Sequence, residues 1–444
     1  MAKQQRMYVC SNCGAESIVW AGKCQSCQEW NTLEEVVIEK NVSKSASKTE
    51  IKIVNAKDAI NNFEKRIVVG ISEVDKVLGG GLVKGGVVLI AGEPGIGKST
   101  LLLQMADGSG EKSKVLYVSA EESIHQVGLR AGRLGVEKSN ISLSDETDVD
   151  SISNAISSKK FDVVIVDSIQ TISTNLLSSS SGSISQITSC AHMLIEAAKS
   201  SNTAIMIVGH VTKEGSIAGP KILEHLVDVV LQLEGDRYGG FKLLRSIKNR
   251  FGSTNEVAIL EMAENGLRIV DNPSKELLKE RQITDGSVVL ATMEGTRPVL
   301  VEVQALVNKT AYGYPKRTAS GFDINRLNLL IAVLEKRTKL NLADKDIYIN
   351  IVGGIRVTEN AADLAVCMAI GSAAKGLKLK TNSVVFGEIG LSGEVRHVAS
   401  VEKRILESTK MGFKQTIGPK SMAVTSPNHY RAKDIRTTLN DFLK

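Results

Sequence analysis

The sequence predicts an α/β protein built in several parts: a cysteine-rich module, a core with a mostly parallel sheet, and a second domain of mixed strands and helices. Three observations lead to this prediction. Four of the six cysteines fall in the first 27 residues. Continuous Val/Ile runs alternate with helical stretches from about residue 63 to 270, which is typical of a parallel sheet with crossover helices. Strands and helices resume after Asn272-Pro273, and ~150 residues per domain predicts about three domains for 444 residues.

We divide the chain into four segments. Residues 1–34 form the cysteine-rich module, 35–62 a polar tether, 63–270 the α/β core, and 271–444 the second, α+β domain. The predicted core strands are Val87–Ala91, Val115–Ser119, Val163–Asp167, Ala204–Gly209, Val227–Leu233 and Leu243–Lys248. The second domain is predicted to contain strands Ser287–Ala291, Val299–Val303, Ile347–Val352 and Ser383–Phe386, and helices near Ile324–Thr338, Ala361–Ala374 and Val398–Met411.

The composition excludes two classes of protein. Hydrophobic residues make up 42% and charged residues 23%, which is incompatible with a wholly disordered chain. No apolar run approaches the ~20 residues that span a bilayer, and Met1–Tyr8 is too polar for a signal peptide. We therefore expect a soluble, cytoplasmic protein without a membrane partner. The net charge of +6 permits an anionic partner, although solvated surface lysines explain it equally well.

The cysteine-rich module has the spacing of a metal site. Cys10 and Cys13 form one C-x2-C pair, and Cys24 and Cys27 form the other. Two such pairs supply four thiolates to one tetrahedral ion, and about 40 residues need the metal in order to fold. Zinc is the preferred ion, with iron in a rubredoxin-like site and a pair of redox dithiols as alternatives. We expect the two tryptophans, Trp20 and Trp30, to pack around the site.

A phosphate-binding loop follows the first core strand. The segment fits G-x4-G-K-[ST] and lies between a predicted strand and a predicted helix, which makes a chance glycine-rich turn a weak alternative. Backbone N–H groups of such a loop bind phosphates, its lysine contacts the β- and γ-phosphates, and its hydroxyl coordinates Mg²⁺. The sequence therefore predicts ATP and Mg²⁺ as ligands. The predicted nucleotide-binding residues are Gly92, Glu93, Pro94, Gly95, Ile96, Gly97, Lys98, Ser99 and Thr100.

Two acidic residues follow neighbouring strands of the predicted sheet. Asp167 ends the strand Val163–Asp167, where a carboxylate binds Mg²⁺ through water; capping of the next helix is the alternative. Glu121 follows the strand Val115–Ser119 and is predicted to orient the attacking water as general base. Its neighbour Glu122 is predicted to be solvated.

These motifs together resemble the RadA (Sms) family of bacterial DNA-repair proteins over essentially the whole chain. The resemblance rests on the phosphate-binding loop, Tyr117–Ser123, Val163–Ser168 and the cysteine pairs. It implies a zinc ribbon, a RecA-like ATPase core and a C-terminal domain similar to the Lon protease. The segment Lys248–Gly252 resembles the signature motif of this family. By similarity, Lys248 and Arg250 act on ATP bound by the neighbouring subunit, as an arginine finger does.

The resemblance to Lon does not extend to its catalytic pair. Lon-type proteolysis needs a serine activated by a lysine. Ala362 occupies the serine's place and Glu402 occupies the lysine's, while Lys403 has no matching serine. We therefore expect this domain to be non-proteolytic and to serve oligomer and DNA contacts.

The resemblance implies a homo-hexameric ring on single-stranded or branched DNA. The zinc ribbon is expected to contact a partner, either a recombinase or the DNA fork. DNA is expected on the loops Ser173–Gln186 and Thr212–Lys221, each of which could instead be an ordinary surface linker. A further basic patch is predicted in the C-terminal domain from Lys309, Lys316, Arg317, Arg326 and Lys336 with Tyr312 and Tyr314.

The predicted function is a DNA-dependent ATPase of recombinational repair that translocates and promotes branch migration. An ATP-gated clamp or loader without translocation is the first alternative. An ATP-dependent protease and a RecA-fold ATPase of clock or signalling type are weaker ones.

Overall fold

The computed structural model describes residues 5–10, 15–38, 65–136, 140–210, 222–235, 240–311, 313–380, 382–420 and 426–443. The chain separates into two compact units. The first comprises most of the residues up to Ile269, and the second begins at Val270 and includes short pieces near residues 240 and 260. Within the described part of the chain, no helix is both long and apolar enough to cross a membrane.

The first unit begins with a small three-stranded antiparallel sheet in the order β2-β1-β3. These strands are β1 (Gln5–Cys10), β2 (Glu16–Ser17) and β3 (Leu33–Ile38). Cys10 ends β1, and Cys24 and Cys27 lie between β2 and β3. This compact element contains the described residues of the predicted cysteine-rich module.

The core of the first unit is a nine-stranded sheet in the order β12-β11-β10-β9-β4-β8-β7-β5-β6. Strands β4 through β9 pair in parallel, and β9 pairs with β10 antiparallel. The strands are β4 (Val87–Gly92), β5 (Val115–Ser119), β6 (Ile141–Ser144), β7 (Val163–Asp167), β8 (Ala204–His210), β9 (Val229–Gly235), β10 (Phe241–Asn249), β11 (Val257–Ala263) and β12 (Gly266–Ile269). The predicted α/β class with a mostly parallel sheet is confirmed.

Among the described residues, six helices accompany these strands: α1 (Ser72–Val77), α2 (Lys98–Gly110), α3 (Ile124–Leu134), α4 (Val149–Ser157), α5 (Ile184–Ser201) and α6 (Ile222–Leu226). Local sequence sets where several of them begin. Ser123 and Gln126 form a reciprocal capping box at the start of α3, and Asp148 and Ser183 accept N-terminal backbone hydrogen bonds of α4 and α5. Alternate apolar residues of the parallel strands pack against α4 and α5 in one continuous core, which also contains Cys190.

The second unit is an α+β domain around a seven-stranded sheet in the order β15-β16-β14-β13-β17-β20-β21. Its strands are β13 (Ser287–Glu294), β14 (Arg297–Lys309), β15 (Arg317–Ser320), β16 (Lys345–Ile351), β17 (Ser383–Val385), β18 (Glu388–Ile389), β19 (Val395–Arg396), β20 (Gln415–Pro419) and β21 (His429–Ala432), of which β18 and β19 form a separate hairpin. Its helices are α7 (Pro273–Leu278), α8 (Ile324–Thr338), α9 (Asp363–Lys375), α10 (Val401–Lys410) and α11 (Ile435–Phe442). The first ten residues of α9 are buried, which makes it the central helix of this unit.

Candidate nucleotide site and metal centre

The phosphate-binding loop connects the end of β4 to the start of α2. Gly97 precedes the helix with φ of 116°, a left-handed conformation that favours glycine, and a Cβ there would lie 2.9 Å from the Met262 Cε atom. The Lys98 ammonium is buried and donates hydrogen bonds to the carbonyl oxygens of Gly92 and Glu93 at 2.9 and 3.0 Å. The lysine therefore lies inside the turn formed by its own loop.

Three charged residues converge at this end of the sheet. Burial lowers the pKa of Lys98, and the negative charges of Asp167 and Glu121 act in the opposite direction. Asp167 ends β7, and Glu121 follows β5, the strand that pairs with β7. Parallel strands present their carboxyl ends at the same edge of a sheet, so the crevice there collects one cation and two carboxylates.

Asp167 has a specific partner that the sequence reasoning missed. The Tyr117 hydroxyl donates a hydrogen bond of 2.7 Å to the Asp167 Oδ2 atom, and the tyrosine is fully buried. Burial, together with the adjacent Asp167 charge, raises the pKa of Tyr117 well above its ordinary value. The phenol therefore stays protonated and remains a donor.

Glu121 and Glu122, although adjacent, have different surroundings. The hydroxyl of Ser168, which is buried and follows Asp167, donates to the Glu121 Oε1 atom at 2.6 Å. Glu122 instead forms an ion pair with Arg130 on α3. Of the two acids, Glu121 is thus the one connected to the Asp167 side of the crevice. The proposed base role for Glu121 stays a prediction.

Lys248 and Arg250 lie at the opposite end of the sheet from the phosphate-binding loop. The Arg250 amide donates to the carbonyl oxygen of Asp228 at 3.1 Å, and the Asp228 carboxylate accepts the amide of Val87, the first residue of β4. The phosphate-binding loop begins at Gly92, the last residue of that strand. Within one subunit, Arg250 and the phosphate-binding loop therefore lie at opposite ends of β4.

The two basic side chains differ in how firmly they are held. Lys248 Nζ donates to the carbonyl oxygens of Glu224, His225 and Val227 at 2.7, 3.2 and 2.8 Å, which caps the C-terminal end of α6. Burial lowers the pKa of Lys248, and the positive charge of Arg250 lowers it further. The Arg250 side chain is 55% exposed and makes one ion pair, with Asp228 at 3.3 Å. Arg250 is therefore the more accessible of the two.

The backbone of this motif is closely packed. The Arg66 guanidinium donates to the carbonyl oxygen of Phe251 at 2.7 Å, and the Asn249 side chain accepts the amide of Phe251 at 2.8 Å. A Cβ at Gly252 would lie 3.0 Å from the Cα atom of Gly79. These contacts fix the position from which Arg250 projects.

Of the two loops predicted to bind DNA, the structure describes one. Thr212–Lys221 lies outside the described residues, as does the Tyr312 position of the basic patch. In the other loop, the Gln186 side chain is buried and donates to the carbonyl oxygens of Thr174, Leu177 and Ser179. The loop Ser173–Gln186 thus has an internal anchor, and its binding of DNA stays a prediction.

The metal centre brings three of the four predicted ligands together. The thiols of Cys10, Cys24 and Cys27 lie within 4.8 Å of one another, and the Sγ atoms of Cys10 and Cys27 are 3.6 Å apart. Thiolates bound at ~2.3 Å around a tetrahedral zinc ion lie ~3.8 Å apart, so the described thiols fit zinc. Cys13 lies outside the described residues. Backbone bonds from Cys10 to Ala15 and from Cys24 to Glu29 close the two turns.

The prediction that the tryptophans pack around the metal site is wrong. Trp20 is 56% exposed and Trp30 is 67% exposed. The ribbon is so small that Cys10 and Cys24 form its buried centre, and the indole rings lie outside it. The Trp30 ring instead covers Gly22 and lies 5.8 Å from the Lys23 ammonium.

The C-terminal unit has an ion pair near the position that resembles the protease site. Ala362 is buried and precedes α9, and Lys403 Nζ donates to the carbonyl oxygen of Thr296 at 3.2 Å. The Arg404 guanidinium is buried and binds the Glu359 carboxylate through both terminal nitrogens, at 2.9 and 2.6 Å. A methyl group at position 362 provides no nucleophile.

The predicted basic patch loses one member. Arg326 pairs with the fully buried Asp363 through two nitrogens, so its inclusion in a DNA-binding patch is wrong. Asp363 is 37 residues away in sequence, and the pairing depends on how α8 and α9 pack. Lys309 and Lys316 are exposed, and Lys309 pairs across the sheet with Lys345. These lysines remain candidates for a phosphate contact.

Comparison with known proteins matches each part of the chain. Family models described as a rubredoxin metal binding domain, an AAA domain and subunit ChlI of Mg-chelatase match residues 8–35, 57–216 and 327–422. The DNA repair protein RadA of Bacillus subtilis (strain 168) is 47% identical over 427 residues, covering 94% of this chain and 93% of that protein. The DNA repair protein RadA of Aquifex aeolicus (strain VF5) is 46% identical over 424 residues, covering 96% and 95%. The chain belongs to the RadA family.

Membership in this family establishes the general function of the chain. The chain is a DNA repair ATPase, a P-loop enzyme that hydrolyses ATP with Mg²⁺ and carries a zinc ribbon. Its core is RecA-like, and its C-terminal domain is Lon-like. A crystal structure of the RadB recombinase matches 46% of this chain and all of that chain at 25% identity with a TM-score of 0.37. The family assignment rests on the sequence relatives.

Proposed function

We propose that the chain forms a cytoplasmic, homo-hexameric ring that encircles single-stranded DNA. ATP hydrolysis at the subunit interfaces drives translocation and extends branch migration of strand-exchange intermediates. The zinc ribbon contacts a protein partner, in our proposal a recombinase. The RadA relatives and the arrangement of the nucleotide site support this proposal.

The proposed chemistry is in-line attack of water on the γ-phosphate. Lys98 neutralises charge on the β- and γ-phosphates, while the Ser99 hydroxyl and Asp167, the latter through water, hold Mg²⁺. An ion held by these residues would supply positive charge that neutralises the phosphate oxygens. Glu121 orients the attacking water and accepts its proton. The carboxyl ends of β4, β5 and β7 bring these residues to one crevice, which is the arrangement this chemistry needs.

One observation in particular supports the proposed ring. Arg250 lies beside Val87 at the amino end of β4, and the phosphate-binding loop lies at the carboxyl end. Five residue steps along a strand span about 17 Å, which is well beyond the reach of one side chain. If Arg250 acts on ATP, the nucleotide must therefore belong to another copy of the chain.

Lys248 gives the proposed interface a second property. Its three hydrogen bonds hold the end of α6, a helix that begins directly after the predicted DNA loop Thr212–Lys221. A reach toward a neighbour's γ-phosphate would release those carbonyl oxygens. We propose that Lys248 in this way links the state of the neighbour's nucleotide to the DNA loop of its own subunit.

The proposal is tested with purified protein, ATP and a three-strand branched DNA substrate, with Lys98→Ala as control. We expect ATP-dependent extension of the strand-exchanged product by the native chain and none by the variant. ATPase activity stimulated by single-stranded DNA without any such extension would favour the ATP-gated clamp instead.

A further inference from the structure

The Tyr117 hydroxyl is a buried polar group of the nucleotide crevice that the proposed chemistry leaves unused. Tyr117 lies in the middle of β5 and is fully buried. Its neighbours Leu116 and Val118 are apolar, and only Ser119, at the end of the strand, is also polar. A buried hydroxyl without a partner costs free energy, so phenylalanine would suit a purely apolar position better. The oxygen atom of Tyr117 therefore requires an explanation.

The geometry of the sheet directs this oxygen to Asp167. Tyr117 and Ser119 share one face of β5, because side chains alternate along a strand. Ser119 pairs with Asp167 on β7, so Asp167 lies two residues further along than Tyr117. Two residue steps span about 7 Å, roughly the length of a tyrosine side chain, and the phenol donates to Oδ2 of Asp167 at 2.7 Å.

The hydrogen bond constrains the carboxylate. Asp167 is at the end of its strand and could adopt several rotamers there. Fixing Oδ2 selects one of them and determines the direction in which the other carboxylate oxygen points. The next residue, Ser168, is bonded in the same crevice to Glu121 at 2.6 Å. The Asp167 carboxylate is thus held in place by Tyr117, a residue of the neighbouring strand β5.

We propose that Tyr117 is a positioning residue for Mg²⁺ binding, acting through Asp167. The inference rests on the proposed role of Asp167 in holding the ion. Groups that orient a metal-binding carboxylate typically contribute 10–100-fold to metal affinity. Tyr117 makes no direct contribution to phosphate transfer, so it acts on the concentration of Mg²⁺ required and not on the rate once Mg²⁺ is saturating.

The test is Tyr117→Phe, which removes the hydroxyl and keeps the ring. Two quantities are measured: the Mg²⁺ concentration for half-maximal ATPase activity, and the binding of Mn²⁺ by electron paramagnetic resonance with a non-hydrolysable ATP analogue. We expect both half-saturation concentrations to rise by about 10-fold or more, with kcat at saturating Mg²⁺ within about twofold of the native value. Tyr430→Phe is the matched control, because Tyr430 also donates to a carboxylate, that of Asp441 in the C-terminal unit.

Further variants separate failure of the inference from failure of the proposed function. Asp167→Asn must itself weaken Mn²⁺ binding; an unchanged value would remove the proposed role of Asp167. If Asp167→Asn weakens binding and Tyr117→Phe does not, only the inference is wrong. In the double variant, Tyr117→Phe should add little to Asp167→Asn, since the tyrosine acts through the aspartate. A loss of kcat with unchanged Mn²⁺ binding would likewise contradict positioning.

Discussion

The Glu359–Arg404 pair offers a sharp test of how the C-terminal unit is stabilised. The Glu359 carboxylate accepts from both terminal nitrogens of Arg404, from the Thr292 hydroxyl at 2.8 Å and from the Met293 amide at 2.8 Å. The Arg404 side chain is 1% exposed. Glu359→Ala therefore leaves a buried guanidinium without its counter-ion and two further donors, the Thr292 hydroxyl and the Met293 amide, without this acceptor.

Removing one partner of a buried ion pair costs about 3–5 kcal/mol of unfolding free energy. For a unit of this size, each kcal/mol corresponds to about 2–4 °C in Tm, so we expect the unfolding transition of the C-terminal unit to fall by roughly 10 °C. The assay is urea and thermal denaturation followed by circular dichroism. Glu394→Ala is the matched control, because Glu394 pairs with Arg396 on the surface, where water screens an ion pair and leaves it little effect on stability.

A double variant extends the same measurement. Arg404→Met combined with Glu359→Ala removes the charge together with its partner. The double variant should lose less unfolding free energy than the two single variants added together. A loss below about 1 kcal/mol for Glu359→Ala would refute the reasoning, since the pair would then contribute no more than a surface ion pair.

Three further predictions concern the first unit. Lys98→Ala should abolish ATP hydrolysis while leaving circular dichroism unchanged; normal turnover in this variant would exclude the phosphate-binding loop as the site. Cys24→Ser should lower bound zinc, measured by atomic absorption, because the described thiols converge on one ion; unchanged zinc content would contradict the ribbon. Lys248→Met should lower the unfolding free energy by about 1–3 kcal/mol, because three carbonyl oxygens at the end of α6 lose their donor. Arg250→Met, with its side chain 55% exposed, should change stability by less than about 1 kcal/mol in the same urea titration. Equal effects of the two substitutions would show that Lys248 does not cap the helix.

Local patterns in the sequence were sufficient for six of the nine strands of the α/β core. The predicted strands ending at Ser119 and Asp167 end there in the structure, because a continuous apolar run followed by polar residues is a local signal. Strand β6 was missed: Ile141–Ser144 is short, only partly buried and lies at the edge of the sheet. Strands β11 and β12 were also missed. They follow the Lys248–Gly252 motif directly, and no helix separates them from it.

The partners of charged residues could not be predicted in the same way. Arg326 and Asp363 form their pair only because α8 and α9 pack together, and composition suggested a DNA patch instead. Lys248 was assigned a role only by similarity, and its three carbonyl partners lie at the end of a helix more than 20 residues earlier. Tyr117 was part of a recognised motif, yet its bond to Asp167 depends on which strands are neighbours. Sheet order is tertiary information that these local patterns do not contain.

The central claim, that ATP is hydrolysed between subunits, is tested most directly by mixing two inactive variants. Lys98→Ala subunits lack a functional phosphate-binding loop but retain Arg250, and Arg250→Ala subunits have the reverse defect. In rings assembled from equal amounts by co-expression, about a quarter of the interfaces combine an intact loop with an intact arginine. We predict that DNA-stimulated ATPase activity returns in the mixture, at a level that neither variant reaches alone. Activity no higher than that of the separate variants would contradict the account.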